Sequence, residues 1–468
     1  MTAAGMHDCA RCAELERKLQ TLVERVARLE AELAAAKKDS RTSSKPPSSD
    51  IVKKPKAPPS SGKKRQRGGQ PGHQRHERAP FADDTVQTCW AYAYAHCPDC
   101  GGPVQPSKAP PRVLQQVELQ ALPIEVSEHR GEACYCPRCQ KTHYALIDEP
   151  VRRAGLVGPR LTSLIAFLKG NCHCSFSTIR KFVRDVVGVT LSRGQLSKLI
   201  AKASASLQAT YEQIQELLPL QSCLNVDETG HKDSGEPMWT WCFRASLFTL
   251  FKIAPTRSSD VLIEVLGTEF DGVLGCDYFS AYRKYMGECN VLVQFCLAHL
   301  LRDVRFLVEH PNSRNQAYGR RVLERMRSLF AVIHRREVLS PAAFRVQLEN
   351  AGDELWAEAV WRVPSTKEAI NLAQRFEKHG ESYLRFITTP GIEPTNNLAE
   401  QAIRFVVIDR KVTQGTRGEI GQRWLERIWT VIATCAQQGR SVFEFLHAAL
   451  LAHLHGDAPP ELLPANTS

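Results

Sequence analysis

Leu224-Asn225-Val226-Asp227-Glu228-Thr229-Gly230 reads as a β-strand, with Asp227 at the end of a short buried run. From Gln221 onward the apolar residues recur with the period of strands rather than helices. MWTWCFRAS (238–246) and LFTLFKIAP (247–255) read as two further strands of a meander. SSDVLIEVLG (258–267) reads as a helix, and GVLGCD (272–277) as a fourth strand ending in Asp277. VLVQFCLAHLLRDVRFLVEH (291–310) then passes from strand into helix. A third acid is expected later, on a helix packed over the sheet. GIEPTNNLAEQAIRFVVIDRK (391–411) supplies Glu400, one turn past a cap at Thr395 or Asn396.

The order βββαβα, with acids at the ends of strands one and four, is the ribonuclease H arrangement. Phosphodiester chemistry explains why acids are needed there. Two Mg²⁺ ions about 3.5–4 Å apart activate the attacking oxygen and stabilise the leaving one. Hard cations take oxygen ligands and keep open positions when few carboxylates hold them. Asp227 would bridge both ions, Asp277 would complete one site and Glu400 the other. Glu228 is expected on the opposite side of its strand, in a structural contact. For Glu400 the simplest alternative is a helix ion pair with Arg404, four residues on.

The charge is unevenly placed. The 468 residues carry 61 Lys/Arg against 50 Asp/Glu, a net +11. Between Lys37 and Arg78 stand thirteen Lys/Arg and three acids, so this segment holds +10 of that total. Rich in Ser, Pro and Gly, it cannot bury enough apolar surface to offset its ordering entropy, and it reads as a disordered basic linker over 37–80. A solubilising spacer is the bland account. A polyanion-tracking arm, led by Lys63, Lys64, Arg65 and Arg67, fits the single sign of charge better. Upstream, Leu15, Leu19, Leu22, Val26, Leu29 and Leu33 are spaced 4-3-4-3-4. This is a coiled-coil seam within residues 1–36, or else a short amphipathic helix packed on its own protein.

Cys97-Pro-Asp-Cys100 and Cys136-Pro-Arg-Cys139 form two knuckles, each offering two thiolates from a tight turn, the set a structural Zn²⁺ requires. Residues 113–136 are expected to provide two strands joining them within a zinc-binding module over 81–149. Cys134 and His143 are left outside the ligand set. Residues 150–216 are helical in pattern. Gly188 reads as a turn between two helices, with Ser192 as N-cap and Gln195 completing a capping box. A DNA-reading helix-turn-helix would place Arg193, Gln195 and Lys198 at the start of its second helix, although ordinary helix packing looks the same. No run of eighteen apolar residues and no secretory leader is evident, so a cytoplasmic protein with mostly reduced cysteines is expected.

The motifs together resemble one family. SSKPPSSD (43–50), RGGQPGH (67–73), the paired knuckles, VDETG (226–230), CDYFSAY (276–282), CLAHLLRD (296–303), EPTNNLAEQAIR (393–404) and RKVTQGTRGEIG (410–421) are similar to those of the bacterial insertion-sequence-66 transposases, a DDE class. The resemblance runs nearly end to end. It implies a multidomain α/β protein with a ribonuclease H-like catalytic domain over 217–430, a helical insertion at about 311–390 and a helical tail over 431–468. It makes Asp227, Asp277 and Glu400 the catalytic triad and places His299 and Asn397 near the site. Glu400-Gln401 stands where the family often has Glu-Arg, a departure that leaves the acid intact. It implies Mg²⁺ (or Mn²⁺) and structural Zn²⁺, and double-stranded DNA as partner, both element ends and target. A homodimer or higher oligomer, accessory proteins of the same element and nucleoid association are further expectations. A catalytically inactive DNA-binding regulator and a structure-specific nuclease of the same fold are the alternatives.

Overall fold

The structure is a computed structural model describing residues 10–38, 42, 80–86, 88–93, 95–96, 98–103, 105, 113–116 and 123–463. Lys63, Lys64, Arg65, Arg67, Cys97 and the Cys136 side chain lie outside the described residues. The chain divides into two compact units: 1–52 with 128–185 and 189–468, and 53–127 with 186–188. In the second unit, a 3₁₀ turn spans Asp83–Thr85, and the Gln115 amide pairs with both backbone groups of Phe81. A His96–Pro103 bridge closes the turn that carries Cys100.

The larger unit is mixed α/β, with helices in the majority among the described residues. Helix α1 spans Ala10–Ala36, and its seam from Leu15 to Leu33 is 50–63% exposed at every position. A hairpin pairs β1 (Ala133–Cys136) with β2 (Lys141–Tyr144). Of the stretch expected to supply two strands joining the knuckles, residues 133–136 form β1, the described residues 113–116 and 123–132 form no strand, and 117–122 lie outside the described residues. Gln140, at φ 53°, lets the chain turn directly after Cys139, so the strands form on either side of the metal-type turn.

Five helices follow: α2 (Glu149–Ala154), α3 (Pro159–Gly170), α4 (Phe176–Phe182), α5 (Arg193–Ser206) and α6 (Gln208–Leu217). Gly188 has φ 79°, a turn only glycine takes without strain, and Ser192 and Gln195 form the expected capping box.

Next come β3 (Cys223–Asp233), β4 (Glu236–Arg244), β5 (Thr249–Ala254), α7 (Ser259–Leu266), β6 (Val273–Cys276), α8 (Ser280–Cys289), β7 (Leu292–Phe295) and α9 (Leu297–Val308). The sheet runs β5-β4-β3-β6-β7. β3 and β4 turn over Ser234 and Gly235, both at positive φ, a geometry whose twist suits a tight hairpin. β6 and β7 run parallel to β3 and return through α7 and α8. Helix α8 has no counterpart in the order expected from sequence. Asp227 is also not at a strand end: β3 continues six residues beyond it, paired with β4. The parallel pairing of β3 with β6 stops at Asn225–Gly275, so Asp227 lies just past that part of the sheet.

Three long helices, α10 (Ser313–Ile333), α11 (Pro341–Val360) and α12 (Lys367–Thr388), fill the expected insertion. They are followed by α13 (Asn397–Thr413), α14 (Glu419–Gln437) and α15 (Val442–His455). Both sheet edges are covered, which removes the unpaired strand that would invite aggregation. At β7, the buried Gln294 amide accepts from Phe386 N–H of α12 (2.8 Å) and donates to the Tyr383 carbonyl (3.0 Å). At β5, Glu426, Thr430 and Thr434 accept from the N–H groups of Ile253, Phe251 and Thr249 at 2.7, 3.0 and 3.2 Å. Four helical residues rise about 6 Å and two strand residues about 6.6 Å, so the two rows keep step. A boundary at 430 would therefore cut α14, which is part of the sheet's edge and not a tail.

Candidate active site

The three acids come from three elements: Asp227 from mid-β3, Asp277 from the residue after β6, and Glu400 from the first turn of α13. They share one field. Burial raises the Asp227 carboxyl well above its ordinary range, and repulsion from Glu228, Asp277 and Glu400 adds to it. Asp277 is pushed up to about 6, first by burial and then by Glu228. The Phe279 N–H, which donates to Asp277 Oδ1 at 2.8 Å, and the Arg257 guanidinium oppose that rise.

Glu228 makes the structural contact expected of it. Its buried carboxylate accepts from Arg257 Nε at 2.7 Å and from the Tyr282 hydroxyl. Arg257 in turn lies 3.7 Å over the Phe279 ring. Glu228 nevertheless remains close enough to act electrostatically on both aspartates.

Glu400 is paired not with Arg404, which is exposed, but with α9: Oε2 lies 3.7 Å from Arg302, and Oε1 lies 3.6 Å from His299 Nδ1. Burial and Arg302 lower the His299 pKa to about 4, so the ring is neutral at physiological pH. Neither Glu400 Oε1 nor His299 Nδ1 has a hydrogen-bond partner among the described residues.

Asn397 is exposed, and its neighbour Asn396 enters the site instead. Asn396 occupies the N-cap position of α13 but does not cap with its side chain. Its amide donates to the Val226 carbonyl at 2.7 Å, fastening the start of α13 to β3 beside Asp227. Cys296, at the start of α9, is also held there: its N–H donates to the Cys276 carbonyl (2.8 Å), and Asn396 N–H donates to its sulfur (3.2 Å). Sequence reasoning missed Asn396, Cys296, Arg257 and Arg302. The C-x-x-H spacing of Cys296 and His299 was the one available signal.

Elsewhere, Cys100 stands exposed on its turn in the smaller unit. Cys139 of the larger unit has its sulfur 3.4 Å from His143 Nε2, bringing forward a residue left out of the ligand set. Arg193, Gln195 and Lys198 are exposed on α5. Gln195 is engaged in the capping box, and Arg193 donates to Ser177 of α4 at 2.7 Å, so both also serve packing.

Against known proteins, residues 154–423 match the family model described as the transposase IS66 family, a span of more than half the chain. The chain belongs to the IS66 transposase family. That span begins at the last residue of α2 and ends inside α14, and it contains all three acids. Residues 7–79 match a second model, a family of unknown function (DUF6444). The uncharacterized protein y4qI of Sinorhizobium fredii is 24% identical over 299 residues, covering 58% of this chain and 54% of that protein. The chain thus spans about half the length of the curated relative it matches.

The acid set suits a divalent metal of the kind such families use. Its donors are carboxylate oxygens, the mutual repulsion at Asp227 is what a cation relieves, and Glu400 Oε1 is left without a donor. No helix among the described residues is long and apolar enough to cross a membrane.

Proposed function

We propose that this protein is a DDE transposase that binds the terminal repeats of its element and cuts and joins DNA at Asp227, Asp277 and Glu400. The observation that carries the reading is the shared field at Asp227. Acids separated by 50 and 173 positions in the chain act on one another around β3, the middle strand of a sheet ordered β5-β4-β3-β6-β7. Three antiparallel strands followed by two parallel ones, with helices between, support a ribonuclease H-like core. Asp227, Asp277 and Glu400 would hold two Mg²⁺ (or Mn²⁺) ions, which when bound supply an activated oxygen nucleophile and stabilise the leaving oxygen.

The chain's own groups prepare that site. Arg257 neutralises Glu228, so this fourth carboxylate remains a structural partner. Arg302 holds one oxygen of Glu400. Asn396 fixes the helix carrying Glu400 against the strand carrying Asp227. Water attacks first and frees a 3′-OH, which then attacks target DNA, so no Ser or Tyr nucleophile is needed.

Binding is assigned to other segments. The basic linker neutralises phosphates. Cys97, Cys100, Cys136 and Cys139 would hold a structural Zn²⁺. The α4–α5 pair presents Arg193 and Lys198 to DNA. The exposed seam of α1 pairs with a second copy, because half-exposed leucines at heptad spacing gain most from a matching helix. The domain limits are those expected from sequence, with the catalytic unit extended through α14.

The deciding experiment uses linear DNA carrying the element ends, Mg²⁺, and wild type beside Asp277→Ala. Cleavage and joining by wild type alone support transposition. Cleavage without joining would make the protein a nuclease, and binding without either would make it a regulator.

A further inference from the structure

We propose that Cys296, His299 and Glu400 form a binding site for one Zn²⁺-class ion, separate in its ligand chemistry from the carboxylate cluster. Their ligand atoms lie within 4.8 Å of one another. Two of them are orphans: His299 Nδ1 and Glu400 Oε1 are buried, face each other at 3.6 Å, and have no hydrogen-bond partner among the described residues. A neutral imidazole nitrogen and a carboxylate oxygen placed this way are too far apart for a good hydrogen bond. They are well placed to share a cation between them. Buried polar atoms left unsatisfied cost free energy, so their persistence as a facing pair points to a missing partner.

The sulfur supplies the second argument. Cys296 sits at the N-terminal end of α9, where its buried sulfur accepts from the Asn396 N–H at 3.2 Å. Burial raises the Cys296 thiol above its ordinary value, and the backbone N–H groups of Asn396, His299 and Ala298 oppose that rise. A metal bound to this sulfur would offset the cost of burying a thiolate, and the Asn396 N–H would spread the charge left on it.

The donor set then selects the ion. Sulfur, imidazole nitrogen and one carboxylate oxygen suit a borderline ion that accepts tetrahedral geometry, and three protein ligands leave one position open. Mg²⁺ takes oxygen ligands in an octahedron and is a poor match. Zn–S and Zn–N lengths of about 2.3 and 2.0 Å place tetrahedral ligands roughly 3.5 Å apart, close to the 3.6 Å between His299 and Glu400, so the closing-up on binding falls on the sulfur. Cys296 gives up its proton to solvent on binding, and His299 enters already neutral. The consequence for catalysis rests on the proposed function: an ion here occupies Glu400 and withdraws it from the acid cluster.

The test is metal stoichiometry on the full chain. Protein stripped with chelator is reloaded with Zn²⁺, and separately with Co²⁺ as spectroscopic probe, then freed of unbound ion. Wild type is compared with Cys296→Ser, His299→Ala and Glu400→Gln. The expected result is one equivalent fewer in each variant, with loss of part of the Co²⁺–thiolate charge-transfer absorption in Cys296→Ser. His299→Ala keeps the buried sulfur intact and lies outside the acid cluster, so it reads the site even where Cys296→Ser does not fold. Equal stoichiometry in wild type and His299→Ala would overturn the proposal, as would an unchanged Co²⁺ spectrum in a folded Cys296→Ser. Ion counting does not depend on DNA cleavage, so its failure and the failure of the transposase reading are seen separately.

Discussion

Asp277→Asn should make the metal-free protein more stable at neutral pH while abolishing its chemistry. In the fold the Asp277 carboxyl titrates at about 6, against an ordinary 3.8. That rise of about two units corresponds to roughly 3 kcal/mol. The carboxyl keeps some contact with solvent, so about 1–3 kcal/mol is the reasonable range. Because the folded carboxyl holds its proton more tightly than the unfolded one, stability from the neutral group is complete below about pH 4. It is lost as pH rises through 6. Asparagine removes the charge and keeps an oxygen for the Phe279 N–H. Denaturant unfolding followed through the buried Trp241 and Trp429 in chelated buffer measures the difference. At pH 7.5 the variant should exceed wild type by 1–3 kcal/mol, and the gap should shrink below about 1 kcal/mol at pH 4. Added Mg²⁺ should stabilise wild type and leave Asp277→Asn nearly unmoved, since only a folded site that binds the ion gains from it. A variant no more stable than wild type at pH 7.5, or a gap that persists unchanged at pH 4, would refute the reasoning.

Thr430→Val keeps the shape of α14 but leaves the buried Phe251 N–H without its acceptor, and should cost about 1–3 kcal/mol in the same unfolding assay. Glu228→Gln removes a repulsive charge from beside Asp277, so an NMR titration should find that carboxyl below 6. The same change deprives the partly exposed Arg257 of its ion pair, lowering stability by about 1–3 kcal/mol. Replacing Lys63, Lys64, Arg65 and Arg67 with alanine should flatten the slope of log K for DNA against log salt. Each lost phosphate contact removes about 0.9 from that slope, which is seen by repeating the binding titration between 50 and 200 mM salt.

What could be read in the chain, and what could not, follows from how far each contact reaches. The strands of the sheet were legible because their apolar runs are local. β6 and β7 are short, buried segments of the kind a covered parallel sheet requires. The edge cover on β5 was not, although the sequence held a clue: Glu426, Thr430 and Thr434 form a polar row every four residues along the buried side of α14. Such a row inside an apolar face asks for partners, but only the fold shows that they are strand N–H groups. The knuckle strands differ. Residues 113–136 show strand-like alternation, yet alternation only licenses a strand where a second one lies alongside, and the partner of residues 133–136 is 141–144, beyond the second knuckle.

The same limit operates within the site. Asn396 and Asn397 are indistinguishable by type, and a helix turns about 100° per residue, so a shift of one position separates a buried clasp on Val226 from an exposed side chain. The acids were legible as residue types spread along an order of elements. Their coupling was not, because it depends on α13 being fastened to β3 by that clasp and to α9 through Arg302. Glu400 is thus positioned by contacts from two directions, and its sequence neighbour Arg404 takes no part. A residue's role here is set less by its own motif than by which distant backbone its helix is tied to, and Asn396 makes that tie.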